Sequence, residues 1–379
     1  MMLIQGGDFR VKYSDAKVFI DDKFKMTGFD VEDGKFKSFG DYKDGVDLNG
    51  KLVIPGLTDI HMHGAMKADA CDGDVNSIKT IANYEMKVGV TQFCATTMTY
   101  NEDILAPIFS SMKEYDNSAA ILAGIHMEGP FIAEDKIGAQ NPKYIQKPDI
   151  DMTLRLDELS GGLLKIISIA PEVEGAMDYA KAIGDKYIIS IAHTNCDYDT
   201  AKLAYQNGFS HLTHMYNAMN GIHHRNPGPI PAALESGVSV ELITDNVHIN
   251  PAIVRMSFEL FKDKLILVSD SMRATGLGDG IYDLGGQDVI IKGNRANLAE
   301  KGNIAGSVVN LFDCMKTAIK MGIAPEIVIR AASSNPARRI GIDENYGIIK
   351  EDRFANFLVL DEDYNLEEVY IKGELKCKN

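Results

Sequence analysis

Six side chains able to bind a metal recur along this chain of 379 residues, each where a short apolar run ends. His61 and His63 close "LTDIHMHG", Glu128 closes "AAILAGIHME", His193 closes "YIISIAH", His214 lies in "SHLTHM" and Asp270 closes "LILVSD". Imidazole nitrogens and carboxylate oxygens suit a divalent ion, zinc before iron or manganese. His61 and His63 are two residues apart, so in an extended strand both project to one face. Zinc takes about four ligands, so the six candidates leave two arrangements. Either two ions sit close together with Glu128 bridging them, or one ion is bound and some residues do other work. A His-x-His pair alone is weak evidence; an ordered set on successive strand ends is much stronger.

The elements that must position this set can be counted. "LVIPGLTDIH", "VTQFCATTM", "AAILAGIHME", "LLKIISIAP", "YIISIAH", "SHLTHM", "SVELITD" and "LILVSD" are runs apolar throughout, the pattern of parallel strands buried on both faces. Amphipathic stretches such as "VNSIKTIANYEMKVG" and "VVNLFDCMKTAIKMG" lie between and after them. Eight strand–helix units over 55–344 have the rhythm of a (β/α)8 TIM-like barrel, an α/β fold of typically ~250 residues with its chemistry at the C-terminal strand ends. An open doubly wound sheet competes, but no GxGxxG turn follows the first strand. The two ends, 1–54 and 345–379, read as short alternating strands around Asp-Gly and Asn-Gly turns and are expected to build one small β-sandwich domain. A Gly-rich stretch from Arg273 to Ser307 is expected to hold a hairpin over the mouth of the barrel.

Composition narrows the partners. A formal net charge of −15 disfavours nucleic acid and anionic membranes, and a small anionic substrate would need a local basic patch. No run approaches the ~18 apolar residues of a membrane span. Five dispersed cysteines without a CxxC pair argue against disulfides or a cysteine zinc site and for a reducing cytoplasm; no targeting segment is visible. Cys94 and Cys196 read as small apolar fillers, His126 as a core or supporting histidine, and His211 as a structural or surface residue. No Gly-x-Ser-x-Gly elbow supports a serine mechanism. Arg225, in the loop "NGIHHRNPGPIP", offers a guanidinium matched to phosphate. His248, in "TDNVHINP", fits either a hydrogen bond to a substrate carbonyl or a capping role.

With these residues in order, the chain resembles the amidohydrolase superfamily and, within it, the N-acetylglucosamine-6-phosphate deacetylases. "PGLTDIHMHG", "HMEGPF", "IAHTN", "THMYNAMNG" with "HHRNPG", "TDNVHINP", "VSDSM" and "NIAGS" carry the likeness, "HMEGPF" and "THMYNAMNG" most specifically. The resemblance implies that Glu128, His193 and His214 bind the principal metal, that Asp270 is the general base, and that His248 lies near the scissile carbonyl. It also implies that Asn217, Ala218, Arg225 and Ile304 contact a phosphorylated amino sugar, with Arg225 reaching a neighbouring subunit's site in a homodimer. Some members lack the first-strand pair and use one ion; His61 and His63 make a second ion plausible here. In "KIGAQNP" this chain has Gln140 where some members have histidine, and its amide is expected to bond substrate without charge. Rival readings are a hydrolase of cyclic amides or ring amines, sharing the metal set without needing "HHRNPG", and a noncatalytic scaffold, which would have lost ligands.

Overall fold

The computed structural model describes residues 10–300 and 302–379. At its centre are eight parallel strands: β1 (Leu57–Met62), β2 (Val90–Thr97), β3 (Ile121–Glu128), β4 (Leu164–Ile169), β5 (Ile188–Ile191), β6 (Phe209–Leu212), β7 (Ser239–Leu242) and β8 (Leu265–Leu267). Each anticipated apolar run supplies one strand, and neighbours pair in chain order. β1 and β8 end that order, and hydrogen bonds at and beyond their tips join them. Asp270 N–H donates to the His61 carbonyl (2.9 Å) and His63 N–H to the Ser271 carbonyl (2.7 Å). Ser269 N–H donates to the Asp59 carboxylate (3.3 Å). The sheet thereby closes into a barrel.

Two kinds of side chain fill the interior. Ile60, Cys94, Ile166, Ile243, Ile266 and Val268 form an apolar cluster. Polar side chains join them in a hydrogen-bonded chain: His126 Nε2 lies 2.7 Å from Ser168 Oγ, which lies 2.8 Å from Thr213 Oγ1, itself 2.6 Å from Ser190 Oγ. Unpaired, each such buried group would cost about 1–3 kcal/mol. Outside, helix Val75–Lys87 buries Ile78, Ile81 and Ala82, and helix Leu311–Lys320 buries Leu311, Met315 and Ala318. That three-and-four spacing gives each helix one apolar stripe against the strands. Asp74 and Asn310 start these helices by accepting their first free N–H groups.

Both chain ends enter a second sheet. Arg10–Ile20, Lys23–Glu32, Lys35–Gly40 and Leu52–Pro55 are joined to Phe357–Leu360, Leu366–Ile371 and Glu374–Lys378 through the antiparallel pairing of Leu52–Pro55 with Phe357–Leu360. The two layers expected of a sandwich are here halves of one continuous, curled sheet. The curl brings Phe29 and Phe36 onto Phe357 (ring centroids 5.2 and 5.9 Å) and Tyr13 onto Tyr370 (5.9 Å). Aromatic residues on one face of a flat sheet would stay wet; curling buries them, each worth roughly 1.5–3 kcal/mol. The turn between Lys23–Glu32 and Lys35–Gly40 uses Asp33 and Gly34 with φ of 53° and 75°, the left-handed pair that the Asp-Gly signal indicated.

Beyond β8 the Gly-rich stretch forms three antiparallel strands, Gly280–Leu284, Gln287–Lys292 and Arg295–Leu298, one more than a hairpin. Their apolar face packs on Met98, Met272 and Ala274. Gln287 Nε2 donates to the Ala139 carbonyl at 2.6 Å, tying this small sheet to the loop after β3. Among the described residues, no helix is long and apolar enough to cross a membrane.

Candidate metal and catalytic site

A cleft of about 320 Å³ opens at the C-terminal strand ends, lined by Glu128, His63, His193, His214, His248 and Asp270 among others. That volume suits a small molecule. Glu128 is its centre. Its Oε1 lies 3.2 Å from His193 Nε2 and 2.9 Å from His214 Nε2, and the two nitrogens are 3.2 Å apart. Its Oε2 lies 3.3 Å from His63 Nε2. Asp270 Oδ1 faces His63 Nε2 at 3.4 Å and His61 Nε2 at 3.6 Å, and His61 Nε2 stands 3.6 Å from Glu128 Oε1. All six anticipated ligands therefore meet.

The far nitrogens of the rings reveal their protonation. His193 Nδ1 lies 2.9 Å from the Lys136 carbonyl, His63 Nδ1 3.1 Å from the Thr96 carbonyl, and His61 Nδ1 2.8 Å from Glu241 Oε2. A carbonyl or carboxylate oxygen only accepts, so each Nδ1 donates and each neutral ring carries its lone pair on Nε2. Three buried lone pairs then point at two carboxylates. Only positive charge between them relieves the repulsion, either a proton on each ring or a metal ion. On His61 and His63 such protons would be held tightly. Burial pulls the His61 pKa down, but Glu241, Glu128 and Asp270 outweigh it and raise it to about 9. His63 is likewise raised well above the usual imidazole range by Asp270 and Glu128, against burial.

The geometry fits an ion. A tetrahedral zinc with bonds of roughly 2.0–2.1 Å keeps its ligand atoms about 3.3 Å apart. The Glu128–His193–His214 triangle has sides of 2.9, 3.2 and 3.2 Å. His61 and His63 form a second group with Glu128. Around Glu128, burial would push the carboxyl up, yet the four histidines hold it well below the usual carboxylate range. Asp270 is also lowered, with His61 and His63 outweighing burial. His193, His214 and Asp270 have left-handed φ of 43°, 31° and 51°. Such strain costs on the order of 1–3 kcal/mol per residue and gathers at functional sites.

Local sequence sets the supporting residues. In "TDNVHINP" the Asp245 carboxylate accepts the N–H groups of Val247 and His248 (2.9 Å each) and lies 2.7 Å from His248 Nδ1. Burial lowers the His248 pKa, but the bond and charge of Asp245 raise it above its ordinary value. Nε2 of His248 has no partner among the described residues, and the residue lines the cleft. Asn217 and Ala218 line it too; Asn217 N–H returns to the His214 carbonyl (2.9 Å), and the Ala218 carbonyl accepts from Thr194 N–H (3.0 Å). After Glu128, Gly129 has φ 77°, and a Cβ there would stand 2.2 Å from Thr99 Oγ1, so "HMEG" needs its glycine.

Other anticipated residues fall less simply. Ile304 lines the cleft. Gln140 does too, but its amide is engaged within the protein: Thr99 N–H donates to Oε1 and Nε2 donates to Glu128 Oε2, both at 2.7 Å. It steadies Glu128, and one N–H remains for a ligand. Arg225 is exposed, donates to His224 Nε2 at 2.7 Å, and is not among the residues lining the cleft. His211 is buried between Ser239 and Glu241, a structural residue. His126 has Nδ1 on the Ile60 carbonyl and Nε2 on Ser168 Oγ, so no lone pair is left for a metal. Sequence reasoning passed over Lys136, Leu284 and Asn303 in the lining and Glu241 behind it. The signal for Glu241 was a carboxylate inside "SVELITD", a run otherwise reading as buried on both faces.

Comparison with known proteins extends this picture. Residues 52–376 match the amidohydrolase family. The N-acetylglucosamine-6-phosphate deacetylase of Bacillus subtilis (strain 168) is 32% identical over 335 residues, covering 86% of this chain and 84% of its own. The N-acetylgalactosamine-6-phosphate deacetylase of Escherichia coli O157:H7 is 28% identical, covering 86% and 88%. A solved mutant of N-acetyl-D-glucosamine-6-phosphate deacetylase from Mycobacterium smegmatis, in complex with N-acetyl-D-glucosamine-6-phosphate, superimposes with a TM-score of 0.91 at 26% identity, covering 98% of this chain and 99% of that one.

Proposed function

The chain belongs to the amidohydrolase family, and from that premise we propose that it hydrolyses the N-acetyl amide of N-acetylglucosamine 6-phosphate to acetate and glucosamine 6-phosphate. The observation that carries this reading is the convergence of imidazole lone pairs on Glu128 and Asp270 at the floor of a cleft that His248 also lines. Glu128, His193 and His214 would hold the principal divalent ion, most simply zinc, and His61 and His63 a second beside Glu128 and Asp270. When bound, such an ion supplies Lewis acidity, polarising a carbonyl and lowering a water's pKa to about 7.

The chain's own groups do the rest. Asp270 accepts the proton of the water whose oxygen bonds to the acyl carbon, then delivers it to the sugar nitrogen as the C–N bond breaks. Its lowered pKa keeps it ionised and ready to accept at neutral pH. In its imidazolium form, which the Asp245 carboxylate favours, His248 keeps Nδ1–H on Asp245 and directs Nε2–H to the amide oxygen, where negative charge develops. His248→Ala should therefore reduce kcat about a hundredfold at little cost to KM. A loss confined to KM would make His248 a binding group only.

Arg225 is assigned to the sugar phosphate. Its loop lies outside this subunit's cleft, which supports service to a neighbouring subunit in a homodimer. Arg225→Ala should raise KM for the phosphorylated sugar about ten- to a hundredfold, the worth of a charged hydrogen bond. A variant that still prefers phosphorylated over plain sugar as strongly as the parent removes the arginine from phosphate recognition. The reading as a whole is tested by acetate release from metal-replete protein given N-acetylglucosamine 6-phosphate, its galactosamine analogue and unphosphorylated N-acetylglucosamine. Release from neither phosphorylated sugar would sink the substrate assignment.

A further inference from the structure

A carboxylate buried in the middle of a barrel strand is costly unless its bonds are complete. Glu241, on β7, is fully buried, and its bonds are complete. Oε2 lies 2.8 Å from His61 Nδ1 and accepts the His214 backbone N–H at 3.0 Å. Oε1 lies 3.1 Å from His211 Nε2, whose Nδ1 meets Ser239 Oγ at 2.7 Å. With both rings neutral, the chain is satisfied when Ser239 Oγ–H donates to His211 Nδ1, His211 Nε2–H to Glu241, and His61 Nδ1–H to Glu241. His61 is left with its lone pair on Nε2, buried without a hydrogen-bond partner and facing Glu128 and Asp270.

We infer that Glu241, anchored by His211 and Ser239, is a positioning residue that fixes the tautomer and aim of His61 and so creates the second metal position beside Glu128. A ligating histidine that donates its other N–H to a carboxylate has a fixed ring and a more basic ligand nitrogen. His193 and His63 lean on backbone carbonyls for the same purpose, so Glu241 is the one carboxylate assigned to this task among the described residues. It touches neither substrate nor reacting atoms. The same Oε2 also clamps the backbone of His214, whose strained φ of 31° needs a fixed partner. One buried carboxylate thus sets the spacing between the His61 and His214 rings.

This inference rests on the metal-hydrolase reading, and its test does not use the substrate. Metal-free parent, Glu241→Gln, Glu241→Leu and His61→Asn would be titrated with zinc against a chromophoric chelator, with melting temperature followed in parallel. The parent should take up two ions. Glu241→Gln keeps one acceptor oxygen and should weaken the second ion about tenfold, and Glu241→Leu about a hundredfold or to the level of His61→Asn. The first ion should stay within a few-fold in Glu241→Gln. Two ions bound by either Glu241 variant with parental affinity would overturn the assignment, as would a parent that binds one. Equal weakening of both ions in step with a lowered melting temperature would make Glu241 a merely structural residue. If Glu241→Leu fails to fold, Glu241→Gln against His61→Asn decides. Failure of acetate release with this graded loss intact would sink the substrate and leave the inference standing.

Discussion

Asp270→Asn should keep its metal and its fold while turnover falls at least about a thousandfold. The substitution removes one function only. Asparagine has the same shape, and the backbone bonds at this position, N–H to the His61 carbonyl and carbonyl from Ser307 N–H, do not involve the side chain. The amide oxygen can still face His63 and His61, as Oδ1 does at 3.4 and 3.6 Å. It cannot accept and return a proton. Metal content and kcat measured on one preparation separate the alternatives. Parental turnover would remove Asp270 from proton transfer, whereas loss of an ion together with turnover would make it chiefly a ligand.

Stripping the metal with a chelator should abolish turnover, and zinc should restore it. It should also make thermal stability depend on pH in a direction that the site dictates. In the metal-free protein His61 titrates at about 9, above its ordinary 6.5. A raised pKa means that the folded state binds the proton more tightly than the unfolded chain. The stability it contributes is present in full below about pH 6.5 and is lost as pH rises through about 9. The metal-free protein should therefore melt at a lower temperature at pH 8.5 than at pH 6.5. Zinc competes with those protons for the same Nε2 atoms, so its affinity grows with pH. The gap in melting temperature between loaded and stripped protein should accordingly widen from pH 6.5 to 8.5. Asp59, buried with a pKa raised to about 7, also titrates nearby, but it does so in both forms and largely cancels in the difference. Calorimetry at the two pH values measures the gap; an equal gap at both would mean that protons and zinc do not share the nitrogens.

Much of the site was legible because it follows a local rule. A histidine or carboxylate at the end of an apolar run declares both its strand and its rim, which groups His61, His63, Glu128, His193, His214 and Asp270. The Asp-Gly turn at Asp33 and Gly34 and the caps at Asp74 and Asn310 were legible for the same reason, since each is decided within four residues. Gln140 was legible in part. Its position at the cleft follows from the loop, but the engagement of its amide by Thr99 and Glu128 depends on the segment after β2 meeting the end of β3.

Residue type and apolar period thus determine by themselves the eight barrel strands, the candidate metal-ligand set and the pairing of the two chain ends in a second sheet. Only the tertiary structure decides that the second sheet curls on itself, that Arg225 lies outside its own cleft, and that Glu241 stands behind His61. The physical reason is distance along the chain. Glu241 and His61 are 180 residues apart and meet only because a closed barrel sets β7 near β1, with the β8 seam between them. No local pattern records which strand a buried carboxylate will face once the sheet has closed.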